Sequence, residues 1–90
     1  MTTTASTKVI RSLYTIAGEI KKDWKANTKD GKIYFGAVPY LDAMQSLDGI
    51  NDKYGYDSGK SIVSNFLANA STWRGDKAKE IKKELNAMLK

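Results

Sequence analysis

The segment GYDSGKS, residues 55–61, resembles a phosphate-binding motif more closely than any other part of this sequence does. The phosphate-binding loop of nucleotide hydrolases reads G-x-x-x-x-G-K-[ST], so that successive backbone N–H groups surround a phosphate. Here only three residues separate Gly55 from Gly59, no apolar strand precedes them, and Asp57 brings a negative charge. We therefore expect Asp57 or Ser58 to cap a helix, and nucleotide binding near 55–61 is kept as an alternative.

The neighbouring segment DGINDKYGYD is rich in side-chain oxygens but does not fit a calcium loop. With Gly55 at the sixth position, Ile50 and Ser61 fall where the first and last carboxylates are needed. The chain also has no cysteine and no histidine, which are the usual ligands of zinc, copper and iron. We therefore expect no metal and no cofactor.

Few side chains are suited to acid–base or nucleophilic catalysis. Without cysteine and histidine, only carboxylates, lysines and tyrosines remain as candidates. The carboxylate pairs Asp48 with Asp52 and Glu80 with Glu84 lie in charged surroundings, whereas a catalytic pair needs contrasting environments. The sequence therefore predicts a protein that is not an enzyme.

The composition is that of one small globular domain. The chain has 90 residues, 41% of them hydrophobic and 28% charged, so it is expected to fold as a single helical domain over 1–90 with a flexible N-terminus at 1–6. A chain of this size buries only about 60 to 65% of its unfolded surface, which keeps a homo-oligomer as an alternative. Charges interrupt the apolar residues of the N-terminal segment, so we expect no membrane span. No export signal is visible in the sequence, which makes the cytoplasm of the producing or infected cell the expected location.

Hydrophobic periodicity predicts a compact all-α bundle of three to four short helices. The first is expected from about Thr7 to Lys25 with a cap at Ser6 or Thr7, and its Gly18 is expected to permit a close neighbour. The predicted buried stripe of this helix consists of Val9, Ile10, Leu13, Ile16, Ala17, Ile20 and Trp24.

The later helices are predicted from caps and breakers. The second starts near Pro39 and ends before Gly49, the third follows the cap at 57–58, and the fourth follows a cap at Ser71 or Thr72. Between the first two helices, residues 26–36 are predicted as a loop. A small hairpin around the Asp30-Gly31 pair is the alternative, but the preceding residues lack alternating apolar side chains.

Charge is distributed unevenly along the chain. Residues 1–37 carry seven basic and three acidic groups, 38–58 one and four, and 59–90 seven and three, so the net charges are +4, −3 and +4. If the first and last helices pack side by side, their outer faces form one basic surface, although ordinary solvated lysines explain the same pattern. The ASTWRG turn and the basic helix after it have the outline of a helix-turn-helix, which makes DNA or RNA binding an alternative function.

Aromatic residues are concentrated in the predicted loops. They act there either as lids on the core or as anchors for a protein partner. The predicted interaction surface combines them with the lysines of the first and last helices and comprises Lys21, Lys22, Lys25, Tyr54, Tyr56, Trp73, Arg74, Lys79, Lys82 and Lys83.

The motifs AVPYLDAM, YGYDSGKSIV and NASTWRG give the chain, from about Ile10 to Leu89, a resemblance to small open reading frames of tailed bacteriophages and integrated mobile elements. The resemblance carries no catalytic motif. It implies an accessory protein that binds a host macromolecule, in the first place a host protein, and inhibits or redirects it.

Overall fold

A computed structural model describes residues 11–90, so the predicted flexible segment 1–6, the cap at Ser6 or Thr7 and the stripe residues Val9 and Ile10 lie outside the described residues. Within them the chain is mostly helical, with one small antiparallel hairpin, and is therefore not purely all-α. The elements are α1 (Leu13–Ala26), α2 (Val38–Met44), β1 (Lys53–Tyr54), β2 (Asp57–Ser58), α3 (Gly59–Ala68) and α4 (Asp76–Leu89).

The first helix begins later than the sequence predicts. Residues 11–12 are not helical, and Ser12 is extended, with φ −67° and ψ 147°. The N–H group of Leu13 donates to the carbonyl of Asp48 at 2.9 Å, and the next N–H group donates to the carbonyl of Leu47 at 3.0 Å. A helix leaves its first N–H groups unpaired, and here another segment of the chain satisfies two of them. The prediction of a continuous helix from Thr7 is therefore wrong.

The starts of the other helices follow the prediction in two cases and depart from it in one. α2 has Pro39 in its first turn, as predicted, and α3 is capped by Ser58, whose Oγ accepts from the N–H of Ser61 at 3.1 Å. α4 instead begins at Asp76 with Gly75 as its N-cap, at φ 115°. The predicted caps at residues 71–72 are therefore wrong, since these residues belong to the connection between α3 and α4.

The hairpin lies at residues 53–58. Apart from Ala26, which ends α1, residues 26–36 form a loop, as predicted, in place of the alternative hairpin. Lys53 pairs with Ser58, and Tyr54 pairs with Asp57 around a two-residue turn in which Gly55 has φ 66° and Tyr56 keeps a negative φ. That combination matches a type II′ turn, whose first central residue is usually glycine. The hairpin leads directly into α3.

The four helices form a closed ring around one core, in which α1 packs against α2 and α4, and α3 packs against the same two helices. The centre of the core is aromatic: the rings of Trp24 and Trp73 are stacked 5.8 Å apart, and Phe66 lies at 6.3 Å from both. The part of the predicted α1 stripe that lies within residues 11–90 is buried: Leu13, Ile16, Ala17, Ile20 and Trp24. The other helices contribute Leu41, Met44, Val63, Ile81 and Leu85, which are fully buried.

Two glycines have opposite surroundings. A Cβ on Gly59 would lie 2.8 Å from the carbonyl oxygen of Gly49 and 2.9 Å from that of Ile50, so the start of α3 touches this backbone directly. A Cβ on Gly18 would meet nothing within 4 Å. The expectation that Gly18 admits a close neighbour is therefore wrong.

Candidate interaction surfaces

The ten residues of the predicted interaction surface fall into four groups. Trp73, Arg74, Lys79 and Lys82 line a hollow at the start of α4, which we call the α4 hollow. Tyr54 and Tyr56 belong to the hairpin, whereas Lys21 and Lys25 line a hollow beside Phe35. Lys22 and Lys83 are exposed on α1 and α4.

Trp73 is not a surface residue. It is 1% exposed, and its Nε1–H donates to Oδ2 of Asp23 at 2.9 Å. Stacking on Trp24 and the hydrogen bond to α1 together fix the connection between α3 and α4 against the core. Because the side chain is almost completely covered by the fold, Trp73 is not available to contact a partner.

Lys82 also has a structural role. Its Nζ donates to the carbonyl oxygen of Trp73 at 2.7 Å and lies 5.8 Å from the centre of that ring. Burial lowers the pKa of Lys82, and the nearby charge of Arg74 lowers it further. A lysine held in this way contributes to the folded structure more than to a free basic surface.

The α4 hollow has a volume of about 330 Å³. Arg74 and Lys79 are exposed at its rim, and the first turn of α4 lies at one side. Asp76 lies in the same first turn and also lines the hollow. Its carboxylate offsets part of the positive charge that would attract an anion.

The contact between α1 and α4 is not a continuous basic surface. Arg11 donates to both carboxylate oxygens of Glu84, at 3.0 and 2.7 Å, and to Glu19 at 2.6 Å. Lys77 lies 3.6 Å from the other oxygen of Glu19. The carboxylates therefore neutralise the cations at the place where the two helices meet.

The same cluster shifts the pKa values of its members. The hydrogen bond from Arg11 lowers the pKa of Glu19, against the opposing effect of burial. The bonds to Glu84 and Glu19 raise the pKa of Arg11. Both groups therefore stay charged in the folded protein at neutral pH and connect residues far apart in the chain.

The N-terminus of α3 has no free N–H groups for a phosphate. The N–H groups of Gly59 and Lys60 donate to the carbonyls of Asp52 and Ile50, at 2.7 and 2.9 Å. The third N–H donates to the Ser58 side chain. This arrangement does not favour nucleotide binding at residues 55–61, because a phosphate site at a helix start needs these groups.

Among residues 11–90, Phe35 is the most exposed large hydrophobic side chain outside the hairpin, at 80%. The turn that carries it is hydrogen-bonded, because the N–H of Ala37 donates to the carbonyl of Tyr34 at 2.9 Å and the N–H of Val38 to that of Phe35 at 3.3 Å. Ala37 itself is fully buried in the core. The backbone on both sides of the exposed ring is therefore fixed.

The missing side chain of Gly36 makes room for the ring of Tyr34. A Cβ at this position would lie 2.6 Å from the ring of Tyr34 and 3.0 Å from the side-chain oxygen of Asn69. The missing side chain lets the tyrosine ring fold back across Gly36, and its centre lies 5.0 Å from that of Phe35. Tyr34 thus supports Phe35 from one side.

Two open hollows flank the Phe35 ring. One, of about 350 Å³, is lined by Lys21, Lys25, Gly31, Lys32, Ile33, Phe35 and Val38. The other, of about 410 Å³, is lined by Trp24, Thr28, Asp30, Lys32, Ile33, Tyr34, Phe35 and Thr72. We call the two hollows and the ridge between them the Phe35 surface. Its apolar members and basic rim have the character of a protein-contact site.

Lys21 belongs only partly to the free rim of this surface. Its Nζ donates to Oδ1 of Asp42 at 2.7 Å and to Oε1 of Gln45 at 2.6 Å, which ties α1 to α2. Lys25 and Lys32 have no carboxylate within 4 Å among residues 11–90. The free positive charge at the Phe35 surface therefore comes from these two lysines.

The hairpin presents the second group of exposed aromatic side chains. Tyr56 at the turn is fully exposed, at 105%, and Tyr54 is about half exposed. Neither tyrosine lines the α4 hollow or the hollows beside Phe35. The hairpin rings are therefore separate from the Phe35 surface and from the α4 hollow.

A comparison with protein-family models, curated proteins and solved structures found no match for the chain. Among residues 11–90 there is no cluster of three or more carboxylates that could hold a metal ion. No helix in the same range is long and apolar enough to cross a bilayer.

Proposed function

We propose that the protein is a non-enzymatic binding protein that attaches to another protein through the Phe35 surface. The observation that carries the proposal is an aromatic ring left 80% exposed on a hydrogen-bonded turn, with a hollow on each side. Aromatic side chains that insert between apolar walls are typical anchors of protein interfaces. Because the backbone that carries the ring is already fixed by the hydrogen bonds of the turn, little backbone entropy is lost when a partner covers the ring.

Covering the exposed part of Phe35 would stabilise a complex through the apolar area removed from water. Burying a whole Phe side chain contributes about 1.5–3 kcal/mol, so the exposed part of this ring would contribute roughly 1–2.5 kcal/mol before the cost of association. Contacts in the two hollows would add to this value. A complex would need both the ring and the hollows, because association itself costs free energy that one buried ring does not offset.

The resemblance to small open reading frames of tailed bacteriophages supports placing the partner in a bacterial host. In this proposal the protein acts in the cytoplasm of the producing or infected cell and inhibits or redirects a host protein. Its function would follow from occupying a surface of that protein.

Direct binding of DNA or RNA by α1 and α4 is the second candidate function. Arg74 and Lys79 at the α4 hollow support it, since exposed cations of this kind contact phosphates. Glu19 and Glu84 at the junction of the two helices count against it. The connection of residues 69–75 is also longer than the usual turn of about 3–4 residues in a helix-turn-helix.

Capture from a nuclease-treated bacterial lysate separates the two candidates. We expect the wild-type protein to retain a host protein that Phe35→Ser loses and Tyr56→Ser keeps. The second variant is a matched control because it also removes an exposed aromatic ring. Capture that depends on nucleic acid, or that both variants retain, would contradict the proposal.

A further inference from the structure

The charges around the Phe35 surface are unequal on its two sides. The hollow next to α1 is lined by Lys21, Lys25 and Lys32 and by no carboxylate, whereas the hollow next to Trp24 is lined by Lys32 and Asp30. From this asymmetry we infer that the partner presents an acidic segment with bulky apolar side chains, whose carboxylates lie over the α1 side. This inference rests on the proposed function and names the chemistry of the partner.

The apolar part of the segment follows from the shape of the surface. Lys32, Ile33 and Phe35 belong to the linings of both hollows, so they form the ridge that separates them. A segment that covers the Phe35 ring therefore crosses the ridge and has a hollow available on each side. Each hollow falls in the size range of about 300–1,000 Å³ that is usual for binding pockets.

The acidic part of the segment follows from charge complementarity. Lys25 and Lys32 have no carboxylate partner within 4 Å in the described part of the chain. Their side chains lie at the rim, where opposite charges on a partner raise the rate of association and exclude basic partners. Acidic side chains on the segment would supply these charges.

A protein segment fits this pattern better than a nucleic acid does. Asp30 lines the hollow next to Trp24, and Asp42 is bonded to Lys21, which takes up part of the positive charge on the α1 side. A phosphate backbone carries one charge at every nucleotide and would meet repulsion where it passed Asp30. A peptide can place its carboxylates over the lysines alone.

A displayed library of short random peptides tests the inference. We expect peptides selected with the wild-type protein to be enriched in Asp and Glu together with Leu, Phe, Tyr or Trp. Their affinity should fall about tenfold with Phe35→Ser and with Lys25→Gln/Lys32→Gln, and it should weaken as the salt concentration rises. The control pair Lys60→Gln/Lys83→Gln removes the same charge from exposed lysines outside both hollows and should change the affinity less than about twofold.

The outcomes distinguish this inference from the proposed function. Selected peptides that need Phe35 but are neutral or basic would overturn the acidic partner and leave the proposed function in place. The acidic partner would also be overturned if no selected peptide depended on Phe35. An oligonucleotide whose binding Phe35→Ser abolishes would overturn both. Unchanged melting temperatures of the variants confirm that lost binding is not lost folding.

Discussion

Gly59 has no side chain, and this absence lets the start of α3 lie against the backbone of Gly49 and Ile50. We predict that Gly59→Ala lowers the free energy of unfolding by about 1–3 kcal/mol. The added Cβ would lie 2.8 Å from the backbone oxygen of Gly49, and backbone atoms cannot rotate away as a side chain can. Urea denaturation followed by circular dichroism measures the loss. An unchanged unfolding midpoint would contradict the described approach of the two segments.

Substitutions of Ser58 and Lys60 test whether GYDSGKS caps a helix or binds a nucleotide. Ser58→Ala should cost about 1 kcal/mol, because the Ser61 N–H loses its acceptor. Lys60→Ala should change stability by less than about 0.5 kcal/mol, since this lysine is exposed. Both values come from the same urea titration. If nucleotides with magnesium raised the melting temperature of the wild type but not of Lys60→Ala, the nucleotide alternative would be supported.

Glu19 should make stability depend on pH in the acidic range. Its pKa is lowered in the folded protein by the hydrogen bond from Arg11, so its contribution is present above about pH 4.5 and is lost as the pH falls through the lowered folded value. Glu19→Gln is therefore expected to reduce stability at neutral pH and to flatten its decline in acid. Urea titrations at about pH 7, 5, 4 and 3 measure this.

The control for Glu19 is Glu80→Gln, which removes a carboxylate at the exposed end of the same cluster, 3.9 Å from Lys77. Exposed pairs of this kind contribute about 0–1 kcal/mol. Equal pH profiles for the two variants would show that Glu19 has no special role.

At the scale of the elements, α1 contains a glycine that the fold does not need. Gly18 is exposed, and a Cβ there would meet nothing within 4 Å. Gly18→Ala should therefore raise the free energy of unfolding by about 0.5–1 kcal/mol, because alanine restricts the unfolded chain and favours the helix. The midpoint of thermal unfolding tests this. A decrease would indicate that a neighbour packs on this position.

The interiors of the helices could be predicted from the sequence, but their ends were less predictable. The stripe of Ile16, Ile20 and Trp24 repeats at helical spacing and is buried. The start of α1 instead depends on the carbonyls of Leu47 and Asp48, and the start of α4 depends on the burial of Trp73. These are contacts between distant segments, and the spacing of apolar residues along one segment does not reveal them.

The position of the hairpin could not be predicted from the sequence either, because it also depends on contacts outside the segment. The Asp30-Gly31 pair is a favourable turn by composition, yet Asp30 accepts a bond from the N–H of Lys32 and the segment stays a loop. The turn at Gly55-Tyr56 lies between two-residue strands, too short to produce an alternating pattern. It is held by the link from Gly59 to Asp52.

For the whole molecule, the distribution of the lysines decides which surfaces are free to bind. Trp73 and Lys82 are used inside the fold, and Lys21 is paired with Asp42. No feature of the sequence marked Phe35 as more exposed than the other loop aromatics. In the structure the missing side chain of Gly36 gives room for the Tyr34 ring, and the neighbouring Phe35 ring stays 80% exposed.

Photo-crosslinking inside bacteria is the most direct test of the Phe35 surface as the site of protein binding. Benzoyl-phenylalanine placed at position 35 keeps an aromatic ring there and captures whatever protein lies against it. We predict a discrete crosslinked partner from position 35 and none from the control positions Tyr56 and Lys79, which are also exposed. Crosslinks from position 56 or 79 alone, or none from position 35, would contradict the account.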